Sequence, residues 1–161
     1  MAEQFIKMAG DKAAQYQSLL PQIEALLLGE RDFVANMANV AAVLKQQFDW
    51  LWVGFYVVKD GELVLAPFQG PIACTRIAKG RGVCGSAWAE GKTMVVADVN
   101  QFAGHIACSS LSQSEIVLPL LRDGECVGVM DIDSADLAAF DAVDAEYLQQ
   151  VVALLLLASA I

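Results

Sequence analysis

The apolar residues of this chain recur first at helical spacing and then at every second position. Between Lys12 and Leu28, Tyr16, Leu19, Leu20, Ile23 and Leu27 fall on one helical face, with Pro21 expected to kink or divide the run. Asp32 is placed to cap a second helix whose stripe is Phe33, Met37, Val40, Leu44 and Phe48. The period then changes to that of a strand. Trp50, Trp52, Gly54, Tyr56 and Val58 are expected on one face, and Leu51, Val53, Phe55 and Val57 on the other. Lys59-Asp60-Gly61-Glu62 reads as a tight turn, and Leu63 to Phe68 as the returning strand of a hairpin.

The stretch from Gln69 to His105 is rich in glycine and carries little periodicity. It holds a short helix candidate, Gly85 to Glu90, and a short strand candidate, Thr93 to Ala97. Two further strands follow, Glu115 to Leu121 and Cys126 to Ile132, joined by Arg122-Asp123-Gly124-Glu125. Asp141 is placed to cap a last helix running to about Ser159, with Leu148, Val151, Val152 and Leu155 turned inward. Helices, an antiparallel sheet and a closing helix make an α+β fold. With 161 residues and no linker or repeat, the expectation is one domain over 1–161, its helical N-terminal part ending at about 48.

Composition narrows the function. The net charge of −9 leaves no basic stripe for nucleic acid. No leader peptide is legible, and the most apolar stretch, Val151 to Ile161, is far too short to span a bilayer, so a cytoplasmic protein is expected. In a reducing compartment four cysteines are more naturally buried thiols, metal ligands or redox groups than permanent cross-links. There is no C-x-x-C, and His105-x-x-Cys108 is the only close pair of soft ligands, so no metal is expected.

Local context separates the thiols. Cys126 begins an apolar strand, and alternation groups it with Met130 and Ile132, away from Asp131 and Asp133, as a core residue. Cys74, Cys84 and Cys108 lie in glycine-rich or polar sequence that reads as loop, accessible to a substrate and to one another. Cys84 also sits near the start of a helix candidate, where the dipole favours thiolate. Glu115 opens an apolar strand, and Asp131 and Asp133 aim at one face of another. A carboxyl in such surroundings has its pKa raised, which suits a proton donor; an edge charge and turn-closing aspartates are the ordinary alternative. Trp52 and Tyr56 flank Gly54 on one strand face, as a core stripe or as two aromatic walls that hold a small ammonium ion beside the acids. His105 reads equally well as a structural or a functional loop residue.

The stretch Ile77 to Asp98, with Gly82-Val-Cys84-Gly at its centre, resembles the core signature of GAF domains. Around it, Trp52-Val-Gly-Phe-Tyr56, Gly70-Pro-Ile-Ala-Cys74-Thr-Arg-Ile, Gly104-His-Ile-Ala-Cys108, Ser112-Gln-Ser-Glu115-Ile-Val and Asp131-Ile-Asp133-Ser resemble, in order, the blocks of the free methionine-(R)-sulfoxide reductases. Ser109 stands where many members carry Asp. The resemblance runs from about Asp32 to the C-terminus. It implies a GAF-like catalytic domain in which Cys108 attacks the sulfoxide sulfur of free methionine-(R)-sulfoxide and becomes a sulfenic acid. Cys74 or Cys84 then closes a disulfide that thioredoxin reduces. It also implies that Glu115, Asp131 and Asp133 share substrate binding and proton donation, that Trp52 and Tyr56 wall the pocket, that no cofactor is needed, and that the protein is a homodimer. A non-catalytic GAF sensor and a redox switch whose disulfide alters a partner are the alternatives; a binding module has no use for three loop thiols.

Overall fold

Asp11, Asp32 and Asp141 each accept a hydrogen bond from an amide of the turn that follows, and each starts a long helix. In the computed structural model, which describes residues 4–106 and 108–161, the elements run α1 (Lys12–Leu27), α2 (Phe33–Phe48), β1 (Trp52–Lys59), β2 (Glu62–Gln69), β3 (Arg76–Ala78), α3 (Gly82–Glu90), β4 (Met94–Val96), β5 (Ser114–Arg122), β6 (Glu125–Ser134) and α4 (Ala142–Ala158). The strands form one antiparallel sheet in the order β3-β2-β1-β6-β5-β4. The α+β expectation holds.

Both hairpins turn through Asp-Gly pairs with positive φ, Asp60-Gly61 and Asp123-Gly124, the backbone that matches strand twist in a two-residue loop. The sheet has a helix-covered face and a site face. On the first, Val53, Phe55, Ile116, Leu118, Met130 and Ile132 pack against α1, α2 and α4. Asp144, fully buried, ties α4 to α1 by accepting hydrogen bonds from Tyr16 Oη and Lys12 Nζ, each at 2.6 Å. On the second face, Trp52, Tyr56, Val117 and Val129 pack with α3 and the central loops.

Several expectations are corrected here. Pro21 does not divide the first helix into two elements; α1 is continuous through it, with Pro21 on its exposed side, where the carbonyl it leaves unbonded can meet water. Trp50 is not on the Trp52 face. The chain passes Asp49 with φ 54° and enters the strand only at Trp52, so Trp50 stacks on Phe48 at 4.3 Å on the helix side. Cys126 is also on the other face from that expected. The register pairs Leu120 with Gly128 but Leu121 with Cys126, so Val127 is an extra residue and alternation is inverted beyond it. Cys126 therefore lies on the site face of the sheet, half-buried, with its thiol donating to the Gly128 carbonyl at 3.1 Å.

Candidate active site

Three acids converge because three strands present alternate residues to one face. Asp133 pairs with Glu115 on one side and Trp52 on the other, while Asp131 pairs with Val117 and Gly54. Glu115, Asp131, Asp133, Trp52 and Tyr56 thus share the site face and line one cavity, closed by Pro71 to Ala73, the start of α3, and the segment carrying His105 and Cys108. The space between these two aromatic residues at Gly54 is filled. A methyl group there would collide with Phe68 and the Trp52 indole, so glycine lets that ring lie flat across the strand. Trp52 and Tyr56 are stacked with centroids 6.0 Å apart.

Cys84 belongs to α3 and not to a loop; the helix begins at Gly82, earlier than the apolar pattern indicated. Gly85 allows this, since a side chain there would strike the Ala78 carbonyl, and its absence lets α3 press onto the end of β3. Cys84 is consequently buried, with Sγ 4.0 Å from Glu115 Oε1. Burial, and then the charges of Asp131, Glu115 and Asp133, push its thiol well above the usual range. The helix-dipole argument for a thiolate fails because desolvation beside three carboxylates outweighs it.

Burial dominates the acids too. Glu115 is pushed well up by desolvation and then by Asp131 and Asp133, and Asp133 by desolvation and then by Asp131. Asp131 is raised by burial, but hydrogen bonds from Glu115 and Cys84 work against the rise, so it is the member best suited to carry charge. Its Oδ1 is buried without a partner among the described residues. Ser112 donates to Asp133 Oδ1 at 2.9 Å, a role that sequence reading did not assign because the two are 21 residues apart. His105 lines the same cavity, its Nδ1 buried and unpaired, with burial lowering its pKa. Cys84, Glu115 and Asp131 also bring three potential metal-ligand atoms within 4.8 Å of one another, a triad no spacing rule reveals because its members come from α3, β5 and β6. With thiol and carboxyls pushed toward their protonated forms, proton sharing suits this triad better than metal ligation.

Raised carboxyl pKa values have a stability consequence. The folded protein holds protons that the unfolded chain releases near pH ~4, so the stabilisation is full below that value and is lost as pH rises through the raised folded values. The melting temperature should therefore climb as pH falls from 8 towards 5. Asp133→Asn should flatten that climb, measured by calorimetric scans of both proteins across the range; equal slopes would contradict the assignment.

Cys74 and Cys108 form a disulfide with Cα atoms 5.6 Å apart. Cys108 lies on the cavity wall and is exposed, and Cys74 is half-buried. Cys84 and Cys126 are free thiols. Of the three loop thiols expected from sequence, two are thus joined and one is sealed under α3.

Comparison with known proteins identifies the family. A family model for the GAF domain matches residues 30–158. GAF domain-containing protein A of Dictyostelium discoideum is 61% identical over 156 residues, covering 96% of this chain and 99% of the relative. The free methionine-R-sulfoxide reductase of Escherichia coli is 47% identical over 144 residues, covering 89% of this chain and 87% of the relative. The X-ray structure of free methionine-R-sulfoxide reductase from Neisseria meningitidis in complex with its substrate superposes with a TM-score of 0.95 at 58% identity, covering 98% of this chain and 95% of that one. This chain belongs to the GAF-domain family and, within it, to the free methionine-R-sulfoxide reductases.

Proposed function

We propose that this protein reduces free methionine-(R)-sulfoxide to methionine, with Cys108 as nucleophile and Cys74 as resolving thiol. The observation that carries the proposal is a disulfide, Cys74–Cys108, on the wall of the same cavity as Glu115, Asp131 and Asp133. In the reduced protein, the Cys108 thiolate attacks the sulfoxide sulfur, and a carboxylic acid delivers the proton that the departing oxygen needs. Oxygen passes to Cys108 as a sulfenic acid; the substrate sulfur gains the two electrons that Cys108 loses. Glu115 and Asp133, pushed towards their protonated forms, are suited to the proton transfer. Asp131, with an unpartnered oxygen, is suited to the substrate ammonium. Arg81, the only Lys or Arg among the described residues that line the cavity, offers a counter-charge for the substrate carboxylate. Trp52 and Tyr56, on the cavity wall, are placed to flank the methyl sulfoxide end.

Cys74 attacks the sulfenic sulfur, releasing water, and a thioredoxin-type dithiol reduces the resulting disulfide. Ile72, 90% exposed and two residues from Cys74, offers an apolar contact for that reductant. Such a cycle belongs in a reducing compartment, the cytoplasm, and no helix among the described residues is long and apolar enough to cross a membrane. A homodimer is part of the same proposal.

The test is consumption of NADPH in a mixture of protein, methionine sulfoxide, thioredoxin and thioredoxin reductase. No consumption with the R sulfoxide would defeat the proposal. Cys74→Ser should release about one methionine per site and then stall or slow under thioredoxin. Steady turnover at the wild-type rate would transfer the resolving role to Cys84.

A further inference from the structure

The two aromatic residues on the cavity wall spend their polar atoms on the chain that carries Cys74. Trp52 Nε1 donates to the Pro71 carbonyl at 3.1 Å, and Tyr56 Oη donates to the carbonyl of Cys74 itself at 2.9 Å. The Leu65 amide of β2 donates to the Thr75 carbonyl at 2.9 Å, completing a row of three donors from the sheet. Residues 70–75 have no regular structure of their own, so these bonds, together with the packing of Ala73 and Cys74 on the site-face cluster, hold the segment against the floor of the site. The Cys108 segment is built differently. Among the described residues, its hydrogen bonds are local: His105 to Phe102, Cys108 to Ile106, and Leu111 to Ser109. One sulfur is therefore fastened to the sheet by hydrogen bonds to its own segment, and the other, among the described residues, is tied through local hydrogen bonds, the packing of Ile106 and, further along, the bond from Ser112 to Asp133.

We infer that Tyr56 and Trp52 are positioning residues for the resolving thiol, latching the Cys74 segment so that its sulfur waits within reach of Cys108. The step they serve is closure of the disulfide. The Cys74 sulfur attacks the Cys108 sulfur, the S–O bond of the sulfenic acid breaks, and the oxygen leaves as water with the thiol proton. Its rate and its equilibrium both scale with the effective concentration of one thiol at the other, which falls when the Cys74 segment is released. The aromatic rings and the donors thus have separate jobs, the rings facing substrate and the donors holding the chain behind it.

This inference rests on the reading that the Cys74–Cys108 pair closes during turnover, but its test needs no sulfoxide. Wild type and Tyr56→Phe are equilibrated in mixtures of reduced and oxidised glutathione, and the disulfide fraction is read by thiol alkylation and mass. Tyr56→Phe should lower the disulfide equilibrium constant by about fivefold, the factor an ordinary net hydrogen bond supplies. Trp52→Phe, which keeps a ring and loses the donor, should shift it the same way and serves if Tyr56→Phe does not fold. Tyr147→Phe removes a hydroxyl whose hydrogen bond, among the described residues, is with Gln17 on the opposite side of the sheet, keeps the ring stacked on Tyr16, and should leave the equilibrium unchanged. In a single turnover with substrate, Tyr56→Phe should also let disulfide closure lag behind methionine release, leaving sulfenic acid for dimedone to trap. An unchanged glutathione equilibrium in folded Tyr56→Phe, or an equal shift in Tyr147→Phe, overturns the inference. Failure of wild type to consume NADPH would instead defeat the proposed function and leave the titration result standing.

Discussion

Cys108→Ser should release no methionine above background, even in a single turnover with enzyme in excess. The sulfur at this position must supply an electron pair to the sulfoxide sulfur and then accept the oxygen. A serine hydroxyl is neither ionised near neutral pH nor able to be oxidised in that way. The geometry makes this position hard to replace. Cys84 is buried and pushed toward its neutral thiol, and Cys126 sits at the hairpin end of β6, outside the cavity lining. Cys126→Ser is the control and should turn over as wild type does. The measurement is amino-acid analysis of a quenched mixture at known site concentration. One equivalent of methionine per site from Cys108→Ser would mean that the nucleophile has been misassigned.

The second large effect concerns what the site refuses. N-acetylated or dabsylated methionine-(R)-sulfoxide should react with a kcat/KM lower than that of the free amino acid by about a hundredfold or more. Asp131 Oδ1 is buried and unpartnered, and a substrate without an α-ammonium leaves it so. Removing the partner of a buried charge costs about 3–5 kcal/mol, and most of that loss falls on transition-state binding. Pro71 to Ala73, His105 and Ile106 line the cavity, and on the proposed binding mode they should add a steric barrier to a chain extending beyond the α-nitrogen. Both compounds should be compared with the free amino acid at matched concentration. Comparable turnover would remove both the ammonium contact and the closed pocket from the mechanism.

The elements themselves were legible from local signals. A helix is announced by residues three or four apart and by its cap, so Tyr16 to Leu27, the Asp32 cap and the Asp141 cap all stand as read. Two Asp-Gly pairs between alternating runs specify hairpins in the same local way. The convergence of Asp131 and Asp133 on one face follows from their spacing alone. Matching Glu115 to that face needed strand register, which the β5–β6 hairpin supplies.

Other features depend on contacts that no local pattern contains. A bulge at Val127 inverts the alternation and carries Cys126 to the other face, and the late start of β1 does the same to Trp50. Pairing of Cys74 with Cys108 joins residues 34 apart, and their local surroundings alone favoured Cys84 equally. Thiol and carboxyl pKa values are set chiefly by desolvation, a property of the surroundings that packing creates; that is why the helix start at Cys84, a cue for thiolate in sequence, ends as a neutral thiol under three acids. The grip of Ser112 on Asp133 and of Tyr56 on the Cys74 carbonyl are likewise matters of tertiary approach. Sequence alone determined the long helices, the two hairpins and the list of candidate reactive residues, because those are encoded within a few positions along the chain; the short strand β3 and the true starts of β1 and α3 were not legible there. Only the tertiary structure decided which thiols meet, which hold their protons, and which aromatic donors secure the segment where they meet, because distance and dielectric exist only once the chain has closed on itself.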